Sequence, residues 1–191
     1  KENPEFEMEK RLLLDKINIE KGTVCVEETE YPLKDVSFPT IDWEDPYRLS
    51  EDEADVMERL VTAFVNCEKL QRHVRFLYTQ GSLYKVYNGN LLYHGCVPLN
   101  EDGTFTRVNV FGKEYAGKEL YDVLEGYARK GYYAIDPKEK KKGQDILWFI
   151  WENQNSPVFG KAKMTTFERY FIADKKTHQE PKNPYYRLLE K

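Results

Sequence analysis

Asn88-Gly89-Asn90-Leu91-Leu92-Tyr93-His94-Gly95-Cys96-Val97-Pro98 holds a turn, a strand and a strand exit in one run of residues. Asn-Gly is the favoured pair for a two-residue type I′ turn, because both central positions need positive φ. Leu83 to Tyr87 and Asn90 to Tyr93 are therefore predicted to pair across it, and the Leu-Leu-Tyr run predicts a buried return strand. Burial would fix His94 at the strand's end, where a metal ligand is useful. Gly95 has no Cβ, so a bulky ligand or a second backbone can come close beside the imidazole. Histidine is the commonest metal ligand, but an ordinary polar residue at a strand exit has the same local sequence, and both readings stay open at this point.

Outward from the hairpin, the preceding segment opens with Ser50-x-x-Glu53, a capping box, with Glu51, Asp52 and Asp55 suited to the positive end of a helix. Met57, Leu60, Val61, Phe64 and Val65 recur at helical spacing. Leu70, Val74 and Leu77 continue the stripe until Gly81 stops it, which predicts a long helix packed on the core, with His73 at its surface. Nearer the start, Asn3 and Pro4 predict a helix to about residue 18 with Phe6, Leu13, Leu14 and Ile17 on its apolar face. Thr23 to Val26 and Glu30 to Leu33 predict two short strands, and residues 34 to 49 an irregular connection.

On the other side, Asn100 to Gly103 marks a turn and Phe105 to Phe111 alternates as a strand. Residues 117 to 130 read as a helix through Leu120, Val123, Leu124 and Tyr127. The apolar run from Gln144 to Trp151 is helix or strand on periodicity alone, and Asn183-Pro184 caps a closing helical turn. Helices and strands without regular alternation predict an α+β fold. Residues 1–49 read as a helical and irregular segment, and 50–191 as the main domain.

At 191 residues the chain can bury roughly 70% of its unfolded surface. Its 29 Lys and Arg against 33 Asp and Glu, net charge −4, exclude the basic footprint of a nucleic-acid binder. The dense basic run, Lys138 to Lys142 between Pro137 and Gly143, reads as a solvated loop. Cys25, Cys67 and Cys96 have no C-x-x-C spacing and read as reduced thiols, Cys67 packed on a helix and Cys96 in the core. No stretch has the length of a membrane-spanning helix or the apolar core of a signal peptide, so a cytoplasmic protein is expected. The opening Lys1-Glu2-Asn3-Pro4 has no Met, as in a processed chain or a piece of a longer one.

Phe159 to Phe171 gathers Lys161, Lys163, Thr165, Thr166 and Arg169 around Gly160, a group suited to phosphate because arginine offers a planar fork and hydroxyls short donors. It is not a Walker motif, and a solvated lysine pair has the same composition. Thr177 to Tyr186 reads either as a substrate rim or as a tyrosine-packed turn.

Gly81-Ser82-Leu83-Tyr84 with the hairpin Tyr87 to Pro98, Met164 to Ile172, and Lys182-Asn183-Pro184-Tyr185-Tyr186 closely resemble the class III (Firmicutes-type) fructose-1,6-bisphosphatases. The resemblance runs from about Phe6 to the C-terminus. It implies part of a calcineurin-like metallophosphoesterase β-sandwich with flanking helices and a helical insertion. It also implies a two-metal site served by Mn2+, and hydrolysis of the 1-phosphate of fructose 1,6-bisphosphate in gluconeogenesis. His94-Gly95 matches the family's His-Gly, whose histidine is a metal ligand. Lys163 and Arg169 are candidates to contact substrate phosphate.

The family's Asp-x-His, Gly-Asp-x-x-Asp-Arg and Gly-Asn-His-Asp motifs, expected upstream, and its Gly-His-x-Pro motif, expected downstream, do not occur in this sequence. A two-metal centre needs about six or more ligands, and the resemblance maps one here. No catalytic residue is identifiable. The expectation is an internal fragment of the enzyme, itself inactive and binding no metal, with unpaired strand edges that favour self-association. The competing reading is a non-catalytic α+β module that keeps the scaffold for binding.

Overall fold

A computed structural model of the chain describes residues 3–190. In chain order its elements are β1 (Ile17–Asn18), β2 (Thr23–Val26), β3 (Thr29–Pro32), α1 (Glu51–Val65), α2 (Glu68–Gln80), β4 (Tyr84–Tyr87), β5 (Asn90–Tyr93), β6 (Val108–Val110), β7 (Lys113–Tyr115), α3 (Gly117–Tyr133), α4 (Pro137–Glu152), α5 (Thr166–Phe171) and α6 (Pro184–Leu189). The fold is α+β, with small antiparallel sheets: β1-β2-β3, β4-β5 and β6-β7. Two compact units divide the described residues, one drawn from residues 3–10, Gly81–Thr165 and residues 179–190, the other from Arg11–Gln80 and Thr166–His178.

The first unit, here the hairpin unit, is built on two helices. Along α3, Leu120, Tyr121, Leu124 and Ala128 fall at three- and four-residue spacing on one buried face, and α4 answers with Ile146, Phe149 and Ile150. The two backbones nearly touch, since a Cβ on Gly143 would lie 2.1 Å from Gly131 N. Gly143 is therefore a helix-crossing residue, and the lysine run preceding it lies within α4. Asp136 caps that helix through Lys138 N at 2.9 Å, and Pro137 occupies its first turn. Lys142 pairs with Glu139 at 3.1 Å, and Lys141 with Asp145. The expected loop fails because a cap, a proline at the first position and i,i+4 pairing specify a helix despite the charge.

Val108 and Val110 of β6 bring their buried side to this core, and Phe6 joins it, 5.3 Å from the Phe149 ring and 5.5 Å from Phe111. Phe111, expected in the strand, instead turns the chain with Gly112; both have positive φ, 52° and 86°. The predicted N-terminal helix is also corrected. Pro4–Phe6, Met8–Arg11 and Leu14–Lys16 are separate 3-10 turns, and Ile17 begins β1. Glu7 at φ 51° interrupts the spiral that its apolar spacing allowed.

In the second unit, Val24, Val26 and Ile172 form a small core with Ile17, Tyr31, Leu33 and Phe167 packed around it. Lys34 N donates to Phe171 O at 2.8 Å, which ties α5 to the sheet. The capping box at Ser50 forms as predicted, with Glu53 N donating to Ser50 Oγ and Ser50 N to Glu53 Oε2. The long helix does not. It breaks at Asn66-Cys67, and neither α1 nor α2 contains a buried residue. Cys67, expected to pack, is exposed at that break.

Candidate functional site

The hairpin is anchored at its entry by one carboxylate. Glu125 on α3 accepts from Ser82 Oγ at 2.6 Å and from Leu83 N at 2.9 Å through one oxygen, and from Arg129 Nη2 at 2.8 Å through the other. Arg129 also donates to Gly81 O at 2.8 Å. Burial pushes the Glu125 carboxyl up, but the hydrogen bonds from Ser82, Arg129 and Leu83 outweigh it, leaving it below the usual carboxylate range. Just beyond, Tyr84 donates to Asp122 Oδ1 at 2.9 Å, and Asp122, also paired with Lys118, is held low by both, Lys118 first.

The turn is type I′, with φ 49° at Asn88 and 73° at Gly89, and Tyr84 to Tyr87 pair in register with Tyr93 to Asn90. Tyr84 and Tyr93 lie opposite each other, and both rings meet Tyr121 edge-on at 5.6 and 6.4 Å. The rest of the hairpin reaches past α3. Leu91 and Leu92 are each 54% exposed, which corrects the expected buried strand. A two-stranded ribbon has one face to cover here, and α3 covers only its base.

The strand exit is gripped on both sides of Gly95. Tyr186 donates its hydroxyl to Gly95 O at 3.1 Å, Tyr121 donates to Cys96 O at 2.7 Å, and Cys96 N donates to Pro157 O at 2.9 Å. Tyr93 and Tyr185 share a hydroxyl hydrogen bond. A Cβ on Gly95 would lie 2.5 Å from Pro157 O and 2.7 Å from Val158 O, so the glycine admits a backbone, as its lack of a side chain allowed. Burial raises the Tyr121 phenol well above its ordinary value, and burial also raises Tyr186. Tyr185 is raised first by its bond to Tyr93. All three therefore stay protonated at neutral pH, which keeps Tyr121 and Tyr186 as donors. The Cys96 thiol is fully buried and pushed up to about 11 by that burial, which suits a core thiol and not a nucleophile.

His94 itself is exposed, so the expected fixation by burial gives way to fixation of the backbone beside it. Among the described residues there is no group of three or more His, Cys, Asp or Glu that could hold a metal ion. One exposed imidazole does not fit a two-metal manganese centre, and the described residues do not supply such a centre by themselves. Lys163 is half-buried in the hairpin unit, while Arg169 is exposed in the other unit, its carbonyl accepting from Lys34 Nζ at 3.0 Å. Lys161 is paired with Glu180 at 2.9 Å.

Two of the three stretches that carry the resemblance thus meet in one unit: Gly81 to Tyr84 with the hairpin, and Lys182 to Tyr186. Reading the sequence missed Tyr121, Glu125 and Pro157. Tyr121 had a signal, because it shares the three- and four-residue spacing of Leu124 and Ala128. Glu125 had a partial one in its i,i+4 pairing with Arg129, but its bonds to Ser82 and Leu83, like Pro157's to Cys96, join residues far apart along the chain.

Residues 1–191 match the family described as Firmicute fructose-1,6-bisphosphatase. The chain is 56% identical over 188 residues to the class 3 fructose-1,6-bisphosphatase of Clostridium botulinum (strain Langeland), covering 98% of this chain and 28% of that protein. It is 54% identical over 187 residues to the class 3 fructose-1,6-bisphosphatase of Clostridium tetani (strain Massachusetts), covering 97% of this chain and 28% of that protein. The chain therefore belongs to a phosphatase family, the Firmicute fructose-1,6-bisphosphatases, and spans a little over a quarter of the length of these relatives. No solved structure matches.

Proposed function

We propose that this chain is part of a metal-dependent sugar phosphatase that hydrolyses the 1-phosphate of fructose 1,6-bisphosphate in gluconeogenesis, in the cytoplasm. In this reading the hairpin belongs to a calcineurin-like β-sandwich completed by strands outside the chain. His94 is the one ligand the chain contributes to a manganese centre whose other ligands lie elsewhere in the full-length enzyme. Lys163 and Arg169 are the chain's candidates to contact substrate phosphate. The chain alone holds no metal and is inactive.

The observation that supports this best is the grip around His94. Two tyrosine hydroxyls and the Pro157 carbonyl hold the peptide groups of Gly95 and Cys96, while the imidazole next to them stays exposed. Rigid placement of an exposed side chain is what a ligand donated to a shared centre requires. The test is His94→Ala in the full-length enzyme, with bound manganese measured by mass spectrometry and phosphate release from fructose 1,6-bisphosphate measured alongside. Loss of at least half the metal together with a ~100-fold fall in turnover is expected, in line with the effect of disrupting a metal's surroundings. Wild-type metal content and turnover in that variant would overturn the assignment.

A further inference from the structure

The hairpin unit holds a cleft of about 380 Å³, within the size range of small-molecule sites. Its polar wall is Asn100 and Glu101 beyond the hairpin, Gln154 and Asn155 after α4, and Asn183 before α6. Leu99, Ala162 and Pro184 add apolar surface. No lysine, arginine or histidine is among the described residues that line it, and its one carboxylate, Glu101, is paired with Arg187. Two of the four amide side chains are committed. Asn100 donates to Thr104 Oγ1 at 2.9 Å and accepts from Thr106 Oγ1 at 3.2 Å, while Asn183 donates to Gln154 O at 3.2 Å and accepts from Tyr185 N at 3.0 Å. The side-chain amides of Gln154 and Asn155 make no hydrogen bond among the described residues; Asn155 bonds through its backbone N, to Asn153 Oδ1 at 2.9 Å.

Each of these two amides offers donors and an acceptor together, the complement of a hydroxyl, whereas a wall without a cation does not select phosphate. Phosphate selection falls to the rim, because Ala162 stands between Lys161 and Lys163 in the chain. Asn183 also belongs to the stretch whose sequence reads as a substrate rim or a tyrosine-packed turn. We propose that this cleft seats the hydroxyl-bearing carbons of a sugar phosphate, and that Gln154 and Asn155 read its hydroxyls. The inference rests on the phosphatase reading above and names the part of the substrate that this chain recognises.

The experiment uses the full-length manganese enzyme carrying Gln154→Ala, Asn155→Ala or both, with phosphate release from fructose 1,6-bisphosphate followed over a substrate series. The double variant should raise KM roughly 10-fold or more with kcat within about twofold, the pattern of lost ground-state binding. The inhibition constant of inorganic phosphate, which has no hydroxylated carbons, should stay within about twofold. Gln154 is exposed, so its single substitution leaves the fold intact and should raise KM about threefold by itself. An unchanged KM in all three variants, beside a wild type that turns the bisphosphate over, would remove the cleft's role and leave the phosphatase reading standing. A fall in kcat with weaker phosphate inhibition would mark a structural role and reject the proposal as well. A wild type that releases no phosphate from the bisphosphate would sink the phosphatase reading and this inference with it.

Discussion

Gly95→Ala should be among the most destabilising single-methyl additions this chain can suffer. The new Cβ would sit 2.5 Å from Pro157 O and 2.7 Å from Val158 O, and both are backbone atoms that cannot rotate aside. Relieving the overlap means moving the Gly95-Cys96 peptide away from Pro157. Overpacking of this kind costs about 1–3 kcal/mol. The same shift stretches the 2.9 Å bond from Cys96 N to Pro157 O, and leaving that buried amide unpaired adds about 1–3 kcal/mol. A total near 4 kcal/mol corresponds to a fall in Tm of roughly 8–16 °C. Gly126→Ala is the control: it lies in α3 with nothing within 4 Å of the added Cβ and should stabilise by about 0.5–1 kcal/mol. Urea unfolding followed by fluorescence of Trp148 and Trp151 in α4 reports on the same unit. A Gly95→Ala penalty below about 1 kcal/mol would refute the close-approach argument.

Glu125→Gln should destabilise by about 1–2 kcal/mol at pH 7, because a charged acceptor of three hydrogen bonds becomes a neutral one at a partly exposed site. The folded carboxyl titrates below its ordinary value, so its contribution is present above about pH 4.3 and is lost as the pH falls through the folded value. The gap between wild type and variant should therefore close in denaturation series run toward pH 3, and a constant gap would contradict the assignment. With a thiol reagent at pH 8, the exposed Cys25 and Cys67 should react promptly and Cys96 only on unfolding, so three equally fast thiols would count against the buried position of Cys96. On its own, the chain should associate as concentration rises, and joint Leu60→Glu and Phe64→Glu substitution should shift it toward monomer in sedimentation velocity. An unchanged distribution would place the contact elsewhere.

What could be read from the sequence was what neighbours in sequence decide. Asn88-Gly89 specified its turn because positive φ is a local demand, and Ser50 with Glu53 specified a helix start because both partners lie within one turn. Burial was not local, and there the reading failed. Leu91, Leu92 and the α1 stripe have the apolar pattern of core residues and are exposed. A hydrophobic period records that a face will be covered, not by which chain.

The same reasoning bears on the site. Of the residues around His94, the ones that hold the backbone just after it, at Gly95 and Cys96, come from three separated places: Tyr121 on α3, Pro157 after α4, and Tyr186 on α6. Each acts on a peptide carbonyl or amide and leaves the imidazole untouched. A purely structural turn would gain as much from burying the histidine or bonding its ring. Removing one grip without touching the ligand separates the two roles: Tyr186→Phe keeps the ring and deletes only the hydroxyl that donates to Gly95 O at 3.1 Å. Loss of one such bond costs about 1 kcal/mol of stability. If the bond serves placement, manganese affinity of the full-length enzyme should fall by about 10-fold or more, the range seen when a ligand's support is removed. Unchanged affinity at the expected stability loss would mean that the tyrosine only packs the turn.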